Sequence, residues 1–114
     1  MRPITTLAAL PALFLLSSAF AGGYPLKIDS DTKAEYVVVE KAGTPEQPTL
    51  LLMRVRAGAT SYSKRLFDCA AQSYKHLGSG ESIEAVAESH PDDALVPAKE
   101  GMIAYQLWKH ACGK

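Results

Sequence analysis

The sequence has few of the residues from which catalytic and metal sites are built. Its 114 residues include three histidines and two cysteines, and no two histidines stand at the spacing of a metal-binding pair. No G-x-S-x-G segment marks a nucleophilic serine, and the adjacent acids Asp92 and Asp93 lie in a turn-forming stretch. We therefore expect no enzymatic activity, no metal and no cofactor.

The chain also lacks an excess of charge of either sign. Twelve basic and twelve acidic side chains give a formal net charge of zero at pH 7. A neutral chain has no overall attraction for nucleic acid or for an anionic membrane. This balance argues against a generic polyanion-binding protein, and we expect no nucleic-acid partner.

Long apolar runs are absent except at the N-terminus. Arg2 precedes an apolar run over residues 4–16, which is too short to span a bilayer comfortably. Ala19 and Ala21 are small residues at the two positions that signal peptidase recognises. We predict a signal peptide over residues 1–21, cleaved near Ala21. Residues 22–114 are then expected to form a single exported domain, in the periplasm or at the cell surface, without a membrane span.

The two cysteines, Cys69 and Cys112, are the chemically most informative pair. Export permits a disulfide, and two cysteines allow only one intramolecular pairing. Two free thiols or an intermolecular bond are the alternatives. We predict the intramolecular bond, which would contribute roughly 4 kcal/mol by closing a loop of this length. That is a large share of the stability of so small a domain.

Residue alternation predicts strands over residues 24–28, 35–41 and 49–57, with a proline-containing loop over residues 42–48. In the third strand Leu51, Met53 and Val55 share one face, which we expect to be the dry one. The arginines of this strand lie on the other face, which turns polar toward the strand end.

The segment after residue 102 has the pattern of an amphipathic helix. Its apolar stripe consists of Ile103, Ala104, Leu107, Trp108, Ala111 and Cys112. Trp108 is therefore expected in the core. Tyr105 lies on the other side of the helix, where we expect it to be exposed and available to a partner.

Residues 64–77 fit two kinds of secondary structure. A helix would place Leu66, Cys69, Tyr74 and Leu77 in one stripe, and Gly78 would follow its end. A strand would leave both faces mixed in polarity. The pattern alone favours the helix, and we expect the Gly-Ser-Gly segment at residues 78–80 to break it.

Short motifs in the C-terminal half bear on this ambiguity. Asp68-Cys69 and a run ending Tyr74-Lys75-His76-Leu77 precede Val96-Pro97, Gly101 and Leu107-Trp108-Lys109, which closes on Cys112. In this pattern the chain resembles the surface-adhesin protein E-like family of exported bacterial proteins. Glu100 and Met102 depart from the Pro-Gly-Ser turn that leads into the terminal helix of that family.

The resemblance implies an α+β fold, a small antiparallel β-sheet with a C-terminal α-helix packed on it. It makes residues 64–77 a strand and pairs the Asp-Cys of that strand with the cysteine of the helix. It also implies adhesion to host matrix proteins. No motif residue of that activity has a counterpart in this chain.

Four basic residues, Arg54, Arg56, Lys64 and Arg65, stand close together across a predicted hairpin. Such a patch would suit an acidic protein surface or a sulfated glycan. The alternative is a solvated sheet face whose charges prevent edge-to-edge aggregation. We take these four residues and Tyr105 as candidates for partner binding.

The function we expect is that of an exported, non-catalytic binding protein, adhesin-like, that presents a sheet face to a host matrix or envelope protein. A periplasmic inhibitor or immunity protein that blocks a hydrolase or toxin is the alternative. A small, disulfide-bonded domain suits both functions, and both involve a protein partner.

Overall fold

The computed structural model describes residues 23–114, and the predicted signal peptide lies outside the described residues. Within this range the chain forms six strands and two helices. In chain order they are β1 (Tyr24–Leu26), β2 (Glu35–Gly43), β3 (Pro48–Arg56), β4 (Ala59–Asp68), β5 (Ser73–Gly80), α1 (Ile83–Glu88), β6 (Val96–Pro97) and α2 (Ile103–Cys112). The predicted α+β architecture, an antiparallel sheet with a C-terminal helix, is confirmed.

The six strands form one antiparallel sheet in which spatial order follows chain order, from β1 to β6. The central strands are joined by short turns. Ala57 and Gly58, between β3 and β4, both have positive φ, 53° and 80°. Two such residues are what a type I′ turn requires, and its twist matches that of the flanking strands. The loop predicted over residues 42–48 is shorter than expected, because β2 continues to Gly43 and β3 begins at Pro48.

One face of the sheet packs against α2, and we call it the helix-bearing face. The largest fully buried side chains are Val38, Leu50, Leu52, Phe67 and Leu107. They belong to a single core cluster that joins β2, β3, β4 and α2. Trp108, only 7% exposed, belongs to the same cluster, which confirms its predicted place in the core.

The predicted dry face of β3 is not the more buried one, although Leu51 on that face is buried. Leu50 and Leu52 are completely or almost completely buried, while Met53 and Val55 are only partly buried. Alternation therefore places the buried leucines on the same face as Arg54. The helix-bearing face is apolar at the start of β3 and polar at its end, because α2 covers only the first part.

The second helix, α1, lies against the opposite face of the sheet. Gly78 and Gly80 of β5 face it at close range, and a Cβ atom at either position would come within 3.0 Å of Val86 or Ala85. The Gly-Ser-Gly segment predicted to break the chain is therefore the end of a strand. Its glycines make room for a helix instead of ending an element.

Residues 64–77 are neither a helix nor one strand, which corrects both interpretations. They span the end of β4, a tight turn over residues 69–72, and most of β5. Two features make the turn. The Asp68 carboxylate accepts a hydrogen bond from the Ala71 N–H at 3.0 Å, and Gln72 adopts a positive φ of 52°. An aspartate that bonds the backbone a few residues on is typical of such turns.

Cys69 and Cys112 form the predicted disulfide, with a Cα–Cα distance of 5.6 Å. The bond joins the turn after β4 to the last residue of α2. Gly113 ends the helix in the left-handed conformation, at φ 68°, as glycine does at many helix ends. The C-terminus of α2 is therefore held against the sheet covalently.

Candidate functional site

The helix-bearing face becomes polar beyond the part that α2 covers. On β3 the buried Leu52 is followed on this face by Arg54, whose side chain is 35% exposed. On β4 the register places Ser63 beside Leu52 and Ser61 beside Arg54. Residues paired in register share a face of the sheet. The result is an open polar surface that adjoins the hydrophobic core on the same face of the sheet.

Arg54 is held in place by a hydrogen-bonded network with Asp31 and Tyr36. Its Nε donates to Asp31 Oδ2 and to the Tyr36 hydroxyl, both at 3.1 Å, and Nη2 lies 3.0 Å from the same carboxylate oxygen. The Tyr36 hydroxyl donates to Asp31 Oδ2 at 2.7 Å. The guanidinium therefore has a fixed orientation, with Nη1 left without an acceptor among residues 23–114.

The same network sets the protonation of its members. The hydrogen bond from Tyr36, aided by Arg54, lowers the pKa of Asp31. Burial and the hydrogen bond to Asp31 raise the pKa of Tyr36. Asp31 also raises the pKa of Arg54, which stays fully charged. At neutral pH the network consists of a carboxylate, a neutral phenol and a guanidinium.

Beside this network, at the β3–β4 turn, lies an open cleft of about 850 Å³, which we call the polar cleft. Its polar lining consists of Lys33, Arg54, Arg56, Thr60, Ser61 and Glu81. The lining thus includes three cations, one carboxylate and two hydroxyls. Such a lining favours an anionic group, which the guanidinium forks and hydroxyls can bind by hydrogen bonds.

The structure divides the four predicted basic residues. Arg54 and Arg56 line the polar cleft together. Arg65 lies on the same face, paired with Leu50 and not with the end of β3. Lys64 points to the opposite face, where it pairs with Gly78 beside α1. The sequence interpretation placed all four in one patch because it lacked the register.

Tyr105 is half-buried on α2 and not in the polar cleft. Its ring stacks on that of Trp108, with centroids 5.8 Å apart, and Lys109 Nζ lies 5.6 Å from its centroid. It lines a second, smaller cleft of about 370 Å³ with Gln106 and Lys109. Tyr105 is therefore less exposed than expected, because it also packs against the core cluster.

Sequence analysis missed Lys33, Asp31 and Tyr36 as parts of the site. The sequence around Asp31 predicts a turn, and that around Tyr36 predicts a strand, so neither residue was recognised as part of a site. Only the β2–β3 register, which pairs Tyr36 with Arg54, shows that they meet. The loop before β2 then brings Asp31 and Lys33 to the same end of the sheet.

Two histidines make specific contacts elsewhere. His110 Nε2 lies 2.7 Å from the Tyr24 hydroxyl, which joins α2 to β1. His76 Nδ1 lies 3.4 Å from Asp92 Oδ2. Burial lowers the pKa of both histidines; Arg65 lowers that of His76 further, whereas Asp92 opposes the change. These contacts are structural, since each links two elements of the fold.

Comparison of the chain with protein-family models, curated proteins and solved structures finds no match. Over residues 23–114 no group of three or more potential ligand side chains forms a metal site. In the same range no helix is long and apolar enough to cross a membrane. The polar cleft is therefore interpreted from its own geometry.

Proposed function

We propose that this protein is an exported, non-catalytic binding protein whose polar cleft holds an acidic group of a protein partner. The observation that carries the proposal is the fixed guanidinium of Arg54 beside Arg56 and Lys33 in an open cleft. A group whose orientation is already set loses little conformational entropy when it binds. Charged groups at a site of this kind also steer the encounter with a partner.

The scaffold supports the same function. The cleft is built on the β3–β4 hairpin, so that Arg54 and Arg56 rest on a paired strand, while Lys33 comes from the loop before β2. The disulfide suits an oxidising, exported compartment. The resemblance to surface-adhesin E-like proteins supports an adhesin-like role toward a host matrix or envelope protein.

In-cell cross-linking tests this proposal. A photo-reactive residue at Ser61, which lines the cleft and pairs with Arg54, is compared with one at Lys64, on the opposite face. We expect a specific protein adduct only from position 61. The affinity of the purified pair is then measured for the double variant Lys33→Gln/Arg56→Gln and for Lys64→Gln.

We expect the double variant to weaken binding about tenfold or more, and Lys64→Gln to leave it nearly unchanged. The affinity of the native pair should also fall as salt rises. Equal adducts from both faces, or equal losses in both variants, would contradict the proposal. A hydrolase or toxin recovered through position 61 would make the protein an inhibitor or immunity protein that uses the same cleft.

A further inference from the structure

We infer that the guanidinium of Arg65, together with its neighbours Tyr74 and His76 on the helix-bearing face, binds an oxyanion of a ligand, either a carboxylate or a sulfate. This site lies apart from the polar cleft. Arg65 is opposite Leu50 on β3, four residues before Arg54, which separates the two positions by about 13 Å along the strand. The inference does not depend on the proposed function.

The first observation is that Arg65 is a half-buried cation without a counter-ion. Its Nε is shielded from solvent and has no hydrogen-bond partner. Salt bridges within residues 23–114 join Arg54 to Asp31 and His76 to Asp92, and neither includes Arg65. Buried charged groups are normally paired, and a buried donor without an acceptor is an exception that calls for a physical explanation.

The second observation is that the acid beside His76 is already engaged. Asp92 Oδ2 accepts a hydrogen bond from the backbone N–H of His76 at 3.1 Å and also lies beside its imidazole. The backbone N–H of Asp92 donates in return to the His76 carbonyl oxygen at 2.9 Å. This double link holds Asp92 against β5. The Asp92 carboxylate is therefore engaged by His76, and no salt bridge within residues 23–114 joins it to Arg65.

The third observation is the way in which the guanidinium is supported. Arg65 Cζ lies 5.9 Å from the ring centroid of Tyr74, and the Tyr74 ring is itself stacked against Phe67 of the core. An aromatic face beneath an arginine stabilises the cation and limits its orientations. A planar fork of donors held in this way matches the two oxygens of a carboxylate or sulfate.

The electrostatics of the cluster agree with an anion site. Burial lowers the pKa of Arg65, because the charged form has lost hydration that no carboxylate replaces. Arg65 in turn disfavours protonation of His76, which pairs with it across the strands. Arg65, Asp92 and Tyr74 are the charged or titratable groups that face His76. An anion on Arg65 would offset its charge and favour the imidazolium.

The test is a titration followed by NMR of the arginine Nε–H and histidine ring signals. Sodium sulfate and sodium succinate are each compared with sodium chloride at equal ionic strength. We expect a saturable shift of the Arg65 Nε–H signal with sulfate or succinate and not with chloride. The accompanying shift of the His76 ring signals should be lost in Arg65→Gln and kept in Lys64→Gln, its neighbour on the opposite face.

The responses to succinate and sulfate distinguish a carboxylate ligand from a sulfated one. A tighter response to succinate assigns a carboxylate, as on an acidic peptide, and a tighter response to sulfate assigns a sulfated group. A second measurement, on the native protein, tests the inference if the Arg65→Gln variant does not fold. In the native protein the pKa of His76 should rise when sulfate or succinate replaces chloride, with the exposed His90 as reference. Equal responses to all three salts, or an unchanged His76, would overturn the inference.

Discussion

The indole Nε1 of Trp108 donates a hydrogen bond of 3.1 Å to the carbonyl oxygen of Asp68. Asp68 ends β4 and immediately precedes the disulfide-bonded Cys69. The helix α2 is therefore attached to the same point of the sheet twice, by a covalent bond and by a hydrogen bond from the ring that fills its core-facing side. This arrangement explains why the only tryptophan of the chain stands one helical turn before Cys112.

Trp108→Phe keeps an aromatic ring in the core but removes the donor to Asp68. We expect a loss of about 1 kcal/mol in the free energy of unfolding, toward the lower end of the range for an acceptor left without its partner, because Asp68 is only partly buried. Urea unfolding followed by far-UV circular dichroism measures it. Tyr105→Phe, which alters the stacked neighbour of Trp108, should cost less than about 0.5 kcal/mol. Equal losses in both variants would refute a special role for the indole N–H.

Removal of the disulfide in Cys69→Ser/Cys112→Ser should lower the melting temperature by more than 10 °C. The cysteines are 43 residues apart, and closing such a loop contributes roughly 4 kcal/mol. In a domain of this size each kcal/mol corresponds to ~4–8 °C. Calorimetry of the double variant and of the reduced native protein should give the same shift. Unchanged melting on reduction would show that α2 stays in place without the bond.

Gly78→Ala tests the close approach of α1 to β5. The added methyl group would collide with the backbone oxygen of Val86, which cannot move without shifting the helix. We expect a destabilisation of about 1–3 kcal/mol, as is usual for overpacking. Ser79→Ala, at the exposed position beside it, is the matched control and should change stability by less than about 0.5 kcal/mol. A neutral Gly78→Ala would mean that α1 packs more loosely than described.

Asp31→Asn tests the network that holds Arg54. The hydrogen bond from Tyr36, with Arg54, lowers the pKa of Asp31 in the folded state. The stabilisation by ionised Asp31 is therefore fully present above its unfolded-state pKa of ~3.9. It is lost as pH falls through the lower pKa of the folded state. The native protein should unfold at higher urea than Asp31→Asn at pH 6, and the two midpoints should converge toward pH 3. A constant difference between the midpoints across this range would argue against the ionised network.

Much of the fold follows from local pattern. The apolar stripe of α2 and the β-branched run in β2 are strong periodic signals, and the pairing of two cysteines has a single intramolecular solution. The segment over residues 64–77 was harder to predict, because the turn at its centre depends on Asp68 and Gln72 and lacks glycine and proline. Gly78 was misinterpreted for a related reason. Its role is set by a helix that lies next to it only in the folded chain.

The candidate site was less predictable than the fold. Arg54 and Arg56 were identified as neighbours because alternation along one strand is visible in the sequence. Lys64 and Arg65 are adjacent in sequence and so necessarily point to opposite faces of β4, and only one of them faces the α2 side. Asp31 and Arg54 are 23 residues apart, and their contact depends on the β2–β3 register. Composition does not predict that register.

The sequential order of the strands has a consequence for how the molecule is made. Each strand from β2 to β6 pairs with the one before it, so a chain that emerges N-terminus first from the ribosome can add each strand to those already paired. Contacts of this kind favour rapid folding, because few long loops must be closed. Cys112 follows all six strands along the chain. The disulfide can therefore close after the sheet has assembled, and Cys69 is the one other cysteine of this sequence with which it can pair.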